Sequence, residues 1–351
     1  MTLESFEIVR VLLLSSLAFV VAFIWAPALT RALNKWKVAK AIRPVADAPV
    51  FAKLHAKKQG TPTMGGILIW VTVLFLAVFL SAVAPYLPVD SMFARLNFLS
   101  RSQTLLPLGA LVASAIVGFV DDYFNARGIG PKGGGLRMRH RLLIYTAIAV
   151  IGAWWFSYKL DWDLLHVPFF GDFNIGLWYI PFFIFIIVAT SFSVNETDGL
   201  DGLAGGTLLT SFGAYAIIAF AQGKYDLAVF CGVILGALLA FLWFNIHPAR
   251  FFMGDTGAMS LGVTLGIVAM LTNAALLLPV IGFVFLIESL SVLVQVSWRK
   301  TFKKKLFQSS PFHHHLEAVG WPEPQIVMRL WVVSMVTAAI GVSLALLDAL
   351  L

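Results

Sequence analysis

Four short stretches of the sequence carry the side chains best suited to chemistry, and the first contains two adjacent acids. Asp121 and Asp122 end an apolar run. Neighbouring carboxylates repel each other, and the C-terminus of a helix already carries a partial negative charge. A divalent cation bound there, or the use of one carboxylate as a base, would explain the pair. A solvated helix end would explain it as well.

The second and third stretches place acids beside glycines. Asp198 and Asp201 follow Asn195 and lie three residues apart, so on a helical turn they share a face. Asp255 stands just before another apolar run, near a predicted helix N-terminus whose free N–H groups suit a phosphate. A simple Asp N-cap is the alternative. Carboxylates of this kind suit Mg²⁺, which prefers oxygen ligands.

The fourth stretch is a run of three histidines, His313, His314 and His315. Zinc needs tetrahedral geometry and a fourth ligand, which consecutive residues rarely provide together. We therefore favour imidazole donors to an anionic substrate, with structural loop histidines as the alternative. Lys58 and Arg141 belong to basic loop segments. Most such charges anchor to anionic headgroups, and a few could bind phosphate.

The composition of the chain shows what must position these side chains. Its 351 residues are 60% hydrophobic and 12% charged, whereas a soluble domain is about half apolar and about a quarter charged. This excludes a disordered chain, a coiled coil and an ordinary soluble enzyme. Cys231 is the only cysteine, so a disulfide scaffold is excluded too. The net charge of +7 fits basic cytoplasmic loops better than nucleic-acid binding.

Ten apolar segments are predicted to be membrane-spanning helices. They cover residues 11–33, 65–87, 103–120, 142–158, 177–193, 207–222, 227–246, 258–271, 274–298 and 326–347. The eighth and ninth come from one nearly continuous apolar run that is too long for a single crossing. The prediction is an all-α, polytopic integral membrane protein that forms one domain over residues 1–351.

Positive charge predicts the orientation of this bundle. With the loops after odd-numbered segments in the cytoplasm, all but five of the 25 Lys and Arg residues lie on that side. Both termini are then outside, and the four stretches lie at the cytoplasmic surface. Transporters tend to place charges near the bilayer midplane, and Glu288 is the one acid clearly within an apolar run. A cytoplasm-facing cleft for phosphoryl transfer, with one substrate in the lipid, is therefore favoured.

The motifs resemble those of the phospho-N-acetylmuramoyl-pentapeptide transferase family, within the wider polyprenyl-phosphate phosphosugar transferases. The matching stretches are GTPTMGG (60–66), GFVDDY (118–123), TDGLDGLA (197–204), FLWFN (241–245), FMGD (252–255), PFHHHLE (311–317) and GWPEP (320–324). The resemblance implies transfer of phospho-MurNAc-pentapeptide from UDP-MurNAc-pentapeptide to undecaprenyl phosphate, with lipid I and UMP as products. It also implies Mg²⁺, ten helices, a homodimer and the bacterial cytoplasmic membrane.

The resemblance assigns roles to individual positions. Asp255 matches the Mg²⁺ ligand, and Phe252 is placed to stack on uracil. The implied catalytic residues are Asp121, Asp122, Asp198, Asp255, Asn195 and His314. The implied substrate contacts are Lys58, Thr63, Asp201, Asn245, Phe252, Gln295, His313, His315, Lys132 and Arg141. One acid of the Asp121–Asp122 pair is expected to deprotonate or position the lipid phosphate.

Some positions depart from the family pattern, and other functions stay open. Glu196 stands where Leu is usual, Arg141 where Lys is usual, and Ala258 replaces a common Ser. A sister transferase that uses UDP-GlcNAc is the nearest alternative, and the histidine and GWPEP motifs within 309–324 argue against it. A secondary transporter and a catalytically inactive scaffold are the others. Transfer in one step and transfer through an Asp nucleophile both fit the residues.

Overall fold

The computed structural model describes residues 3–39, 58–88, 91–130, 134–159 and 161–351. The helices within these ranges are α1 Leu3–Trp36, α2 Ile67–Val83, α3 Leu105–Ala126, α4 Met138–Lys159, α5 Tyr179–Thr197, α6 Leu203–Ala221, α7 Tyr225–Asn245, α8 Asp255–Leu271, α9 Leu278–Ile281, α10 Phe283–Phe302, α11 Phe312–Ala318 and α12 Glu323–Asp348. The predicted all-α class is confirmed, with one small hairpin added.

Eight helical segments of the described residues are long and apolar enough to cross a bilayer. They are Glu4–Trp36, Ile67–Tyr86, Leu105–Ala126, Met138–Lys159, Gly176–Thr197, Leu203–Ala221, Tyr225–Asn245 and Glu323–Asp348. Helix α8 corresponds to the predicted eighth segment but has only 17 residues. The predicted polytopic architecture is confirmed, and the number of ten crossings stays a prediction.

The ninth predicted segment is not one straight helix. Ala275–Ile281 and Phe283–Phe302 meet at an angle of 85°. Pro279 lies in the first turn of α9, where a missing N–H costs nothing, and Gly282 separates α9 from α10. The apolar pattern shows which residues are hydrophobic but not the direction of a helix. The prediction therefore merged two helices that point in different directions into one segment.

Helices α7 and α8 form the centre of the bundle. Every residue of α8 after its first is buried, α1 packs along α7, and α3 and α5 flank α8. Small residues allow these close approaches. A Cβ atom at Gly236 would collide with the backbone of Ser15 in α1, and one at Gly262 would lie 2.8 Å from the Cα of Ser191 in α5. Close packing of this kind holds helices together in lipid.

A two-stranded antiparallel hairpin lies between α4 and α5. Strand β1 is Leu164–Val167, strand β2 is Gly171–Asn174, and Val167 pairs with Gly171 at the turn. His166 in β1 lies 2.7 Å from Asp172 in β2, and its other ring nitrogen contacts Asp348, the last residue of α12. We call this end of the bundle the hairpin end. The opposite end, where α8 begins at Asp255 and α12 at Glu323, is the site end.

Candidate active site

Ends of four helices meet at the site end and bring the predicted acids together. Asp121 and Asp122 lie near the end of α3, Asn195 near the end of α5, Asp198 just after it, and Asp255 is the first residue of α8. Arg141 comes from the first turn of α4. We call these six residues the Asp255 cluster.

Gly118 explains how α3 can reach the start of α8. A Cβ atom at this position would lie 2.6 Å from the backbone nitrogen of Thr256 and would also collide with the carbonyl of Asp255. A side chain there would push the two helices apart. The glycine of the GFVDDY motif therefore sets the distance between the Asp pair and Asp255.

Asp255 is the junction of the cluster. Its Oδ2 accepts a hydrogen bond from Nη2 of Arg141 at 2.7 Å, and its Oδ1 accepts one from Nδ2 of Asn195 at 2.6 Å. Arg141 also donates to Oδ1 of Asn195 at 3.2 Å. The three side chains therefore fix one another. Bonds from a guanidinium to a carboxylate are among the strong ones.

Arg141 also places a positive charge beside the Asp121–Asp122 pair, for which we predicted repulsion. Its Nε lies 2.7 Å from Oδ2 of Asp121, whose side chain is fully buried. The other oxygen of Asp121 accepts a hydrogen bond from the backbone of Leu136 at 2.5 Å. One guanidinium thus lies between Asp121 and Asp255. In this structure the positive charge beside Asp121 is that of an arginine.

The start of α8 is capped by acids from other segments. Asp122 accepts a hydrogen bond from the backbone N–H of Thr256 at 3.0 Å, and Asp198 accepts one from Gly254 at 3.1 Å. Thr63 lies at the edge of hydrogen-bonding distance from Asp122, at 3.5 Å. The N-cap position belongs to Gly254, so the alternative in which Asp255 caps its own helix is wrong.

A second group, which we call the Lys58 cluster, contains Lys58, Asp201, His247 and Glu323. The ammonium of Lys58 lies 2.7 Å from Oδ1 of Asp201 and 2.5 Å from Oε1 of Glu323. Asp201 is held further by His247 at 3.0 Å and by the backbone N–H of Ala249 at 3.1 Å. A basic side chain again lies between two carboxylates.

Glu323 and His247 were given no role by the sequence motifs. Glu323 lies in the GWPEP motif and His247 two residues after the FLWFN motif, but their partners are far away along the chain. Among the described residues, Asp201, His247 and Glu323 also form a group whose possible ligand atoms lie within 4.8 Å of one another. Lys58 already supplies a positive charge to two of the three.

Two predicted nucleoside contacts adjoin the Lys58 cluster. The ring of Phe252 has its centre 5.8 Å from the ammonium of Lys58 and is partly exposed. Asn245 is buried, accepts a hydrogen bond from Gly202 at 2.9 Å and donates one to the carbonyl of Phe251 at 2.8 Å. Asn245 therefore shapes this region by joining two loops, while Phe252 offers a surface.

His313 is a buried residue paired with an acid. Its Nδ1 lies 3.0 Å from Oε2 of Glu288, which also accepts the backbone N–H of His313 at 3.2 Å. The Nε2 atom packs against Gly199, where a Cβ would collide with it. Burial opposes protonation of His313, but the pairing with Glu288 outweighs it and raises its pKa above 6.5. Glu288, the one acid clearly within an apolar run, is therefore the partner that holds the first histidine of the motif.

The remaining residues predicted to act on or contact the substrate mostly make hydrogen bonds within the protein. His314 lies 2.7 Å from Glu317. Gln295 accepts hydrogen bonds from the backbone of Leu306 and Phe307, and His315 accepts one from Gln308 at 3.3 Å. These contacts shape the loop before α11. Lys132 lies outside the described residues.

Known proteins resemble this chain along almost its whole length. Residues 104–273 match the family model described as glycosyl transferase family 4, and residues 58–69 match signature 1 of phospho-N-acetylmuramoyl-pentapeptide-transferase. A protein with that transferase name from Chloroflexus aggregans is 40% identical over 97% of this chain and 91% of its own length. One from Geobacillus sp. (strain WCH70) is 40% identical over 93% and 95%. One from Desulfatibacillum aliphaticivorans is 36% identical over 95% and 92%.

Proposed function

The chain belongs to the phospho-N-acetylmuramoyl-pentapeptide transferase family, and from this premise we propose that the Asp255 cluster is its reaction centre. The enzyme transfers phospho-MurNAc-pentapeptide from UDP-MurNAc-pentapeptide to undecaprenyl phosphate and forms lipid I and UMP. The reaction brings together two anions, a nucleoside diphosphate and a lipid phosphate. Phosphoryl transfer depends mainly on positioning and on neutralising charge.

The observation that supports this assignment is the meeting of α3, α4, α5 and α8 around Asp255. Arg141 already bridges Asp121 and Asp255 there. Its planar fork suits a phosphate oxygen as well as a carboxylate, so we expect it to contact the diphosphate of the donor. Arg141 would then bind the donor, while Asp121 and Asp255 keep its guanidinium aligned.

Mg²⁺ fits the chemistry of this donor set. Every acid of the Asp255 cluster offers carboxylate oxygens, which Mg²⁺ prefers together with substrate phosphates and water. We propose that Asp255, whose Oδ1 accepts a hydrogen bond from Nδ2 of Asn195 at 2.6 Å, would hold the ion. A bound Mg²⁺ would supply charge neutralisation at the diphosphate.

The Asp121–Asp122 pair is assigned to the lipid phosphate. Asp122 is fixed against the backbone of Thr256, and Asp121 against Arg141 and Leu136. Held in this way, one acid positions or deprotonates the lipid phosphate. An oxygen of the lipid phosphate then attacks the sugar-bearing phosphorus of the donor, and UMP leaves. Attack by an Asp carboxylate first is the other route, and a phospho-enzyme trapped without lipid acceptor would identify it.

The Lys58 cluster is assigned to the nucleoside part of the donor. Phe252 would stack on uracil, and Lys58 and Asp201 would supply polar contacts beside it. His314, next to the buried His313–Glu288 pair, is proposed to face the substrate from α11. The two clusters then divide the donor between them, with the nucleoside at one and the diphosphate at the other.

We also propose an orientation and an assembly. The chain is a multi-helix membrane protein, and the site end is proposed to face the cytoplasm of the bacterial inner membrane, with both termini outside. The five basic residues predicted on the outer side are Arg10, Arg95, Arg101, Lys159 and Lys224. Arg10 and Lys224 both lie next to the start of α7, at the end opposite the acids. A homodimer is proposed from the family.

Release of UMP by the purified protein tests this function. The assay compares UDP-MurNAc-pentapeptide with UDP-GlcNAc, each with and without undecaprenyl phosphate and Mg²⁺. We expect release to continue over many turnovers only with the muramoyl donor, the lipid acceptor and Mg²⁺ together. Faster release from UDP-GlcNAc would assign the chain to a sister activity. Full activity in the presence of a chelator would contradict the proposed metal.

A further inference from the structure

We propose that Glu323 is a positioning residue for the donor substrate, because it holds both Lys58 and the backbone of Asp201 in place. The inference rests on the proposed function, in which those two residues contact the nucleoside part of the donor. Glu323 itself is assigned no contact with substrate. It acts through the residues that it holds.

One oxygen of Glu323 meets two groups from distant parts of the chain. Oε1 accepts a hydrogen bond from the ammonium of Lys58 at 2.5 Å and another from the backbone N–H of Asp201 at 2.8 Å. Glu323 is the first residue of α12, and its side chain is 11% exposed. The start of the last helix thus connects the loop before α2 with the loop before α6.

The carboxylate of Asp201 does not depend on Glu323. It retains contacts with Lys58, with His247 and with the backbone of Ala249. Loss of the charge at Glu323 would therefore leave Asp201 anchored and the loop folded. The group that would lose most is the ammonium of Lys58, which would keep one carboxylate partner out of two.

A lysine with one partner would be less well positioned for a ligand. The side chain of Lys58 is 16% exposed and its ammonium lies near the ring of Phe252. A flexible stem that is already held in place loses less entropy when a ligand binds. Removal of the second carboxylate should therefore weaken donor binding. The reaction centre, which has its own cation in Arg141, should keep its turnover.

Glu323→Gln tests this in the full-length protein, with Asp348→Asn as matched control at the other end of α12. We expect Glu323→Gln to raise the KM for UDP-MurNAc-pentapeptide and the Kd for UMP by about tenfold, the size of one lost charge-assisted hydrogen bond. The kcat and the KM for undecaprenyl phosphate should stay within about twofold. Asp348→Asn should change none of these four values.

Glu323→Asp keeps the charge but shortens the reach, so we expect a smaller rise of about threefold in both donor constants. If Glu323→Gln does not fold, this variant carries the test. Unchanged donor constants in whichever variants fold, an equal fall in kcat, or the same effect in Asp348→Asn would overturn the inference. A wild-type protein that releases no UMP would instead overturn the proposed function.

Discussion

The Asp255 cluster and the Lys58 cluster lie at the same end of the bundle and share one charge pattern. In each, a basic side chain lies between two carboxylates. Arg141 bridges Asp121 and Asp255 in the first, and the ammonium of Lys58 lies between two acids in the second. The pattern of charge alone therefore does not tell which cluster would perform chemistry.

The neighbours of the two clusters differ, and they suggest different tasks. The Asp255 cluster is enclosed by helix ends, and its acids accept backbone hydrogen bonds from the start of α8. Arginine also fixes two partners through a rigid fork, which suits alignment of phosphates. The Lys58 cluster adjoins the ring of Phe252, and the side chain of its member His247 is 40% exposed. An aromatic surface beside polar groups suits a nucleoside.

Substitutions in the two clusters should change different kinetic constants, and we expect the greatest change in the Asp255 cluster. Asp255→Asn keeps the shape of the side chain but removes the charge that faces Arg141 and the proposed Mg²⁺ ligand. We expect kcat for UMP release to fall by at least about a hundredfold, with the protein still folded. Asp201→Asn, the matching change in the Lys58 cluster, should mainly raise the KM for the donor. The comparison fails if both variants show the same kinetic signature.

A glycine tests whether the first cluster depends on close helix packing. Gly118→Ala would place a methyl group against the backbone of Asp255 and Thr256. Overpacking of this kind costs about 1–3 kcal/mol, and we expect kcat to fall by roughly tenfold or more. Gly109→Ala, on the same helix, is the control, because a Cβ there would meet no atom of the described residues within 4 Å beyond the backbone of its own helix. Equal activity in both variants would show that this distance does not matter.

The aromatic ring tests the assignment of the second cluster. Phe252→Ala removes the surface proposed to stack on uracil, and stacking on one base is worth about 1–3 kcal/mol. We expect the Kd for the UDP donor to rise by roughly tenfold, while binding of the lipid acceptor is unchanged. Isothermal titration of each substrate measures this. Equal losses for both would argue against stacking.

The smallest expected effect concerns the hairpin end, outside both clusters. Burial lowers the tendency of His166 to protonate, but its hydrogen bonds with Asp348 and Asp172 outweigh this and raise its pKa above 6.5. Protonated His166 thus stabilises the fold below about pH 6.5, and this contribution is lost as pH rises through the raised pKa. For such a pair we expect about 1 kcal/mol or less.

The thermal midpoint at several pH values measures this effect. Lys224 also changes the stability in the alkaline range. Burial lowers its pKa to about 8, so the folded protein releases this proton before the unfolded chain does, and stability rises with pH there. The difference between the wild type and His166→Gln isolates the histidine. We expect this difference to shrink above neutral pH while UMP release by both proteins stays similar. A difference that does not change with pH would show that protonation of His166 does not stabilise the fold.

The sequence predicts the helical membrane architecture because long apolar runs have few other solutions. It also predicts that the acids of the Asp255 cluster lie at one end, since they fall in the loops after odd-numbered spans, which all lie on one side of the membrane. The 85° bend between α9 and α10 and the hairpin were not predicted. Hydrophobicity does not report helix direction, and strands of four residues leave little periodic signal.

Partners that are distant along the chain were the hardest to predict. Arg141 was expected to contact substrate, and in the structure it lies between Asp121 and Asp255. Glu323 was part of a quoted motif but had no predicted role. No local pattern could pair Glu323 with Lys58, which lies 265 residues earlier. A single sequence shows which residue types are available, and packing decides which of them meet.

Binding of Mn²⁺, used as a spectroscopic substitute for Mg²⁺, tests whether Asp255 holds the metal ion. The wild type, Asp255→Asn and Asp201→Asn are titrated with Mn²⁺, followed by competition with Mg²⁺. We expect one saturable site in the wild type and in Asp201→Asn, and the loss of this site in Asp255→Asn. Binding that survives in Asp255→Asn but is lost in Asp201→Asn would place the ion in the Lys58 cluster and show that Asp255 is not its ligand.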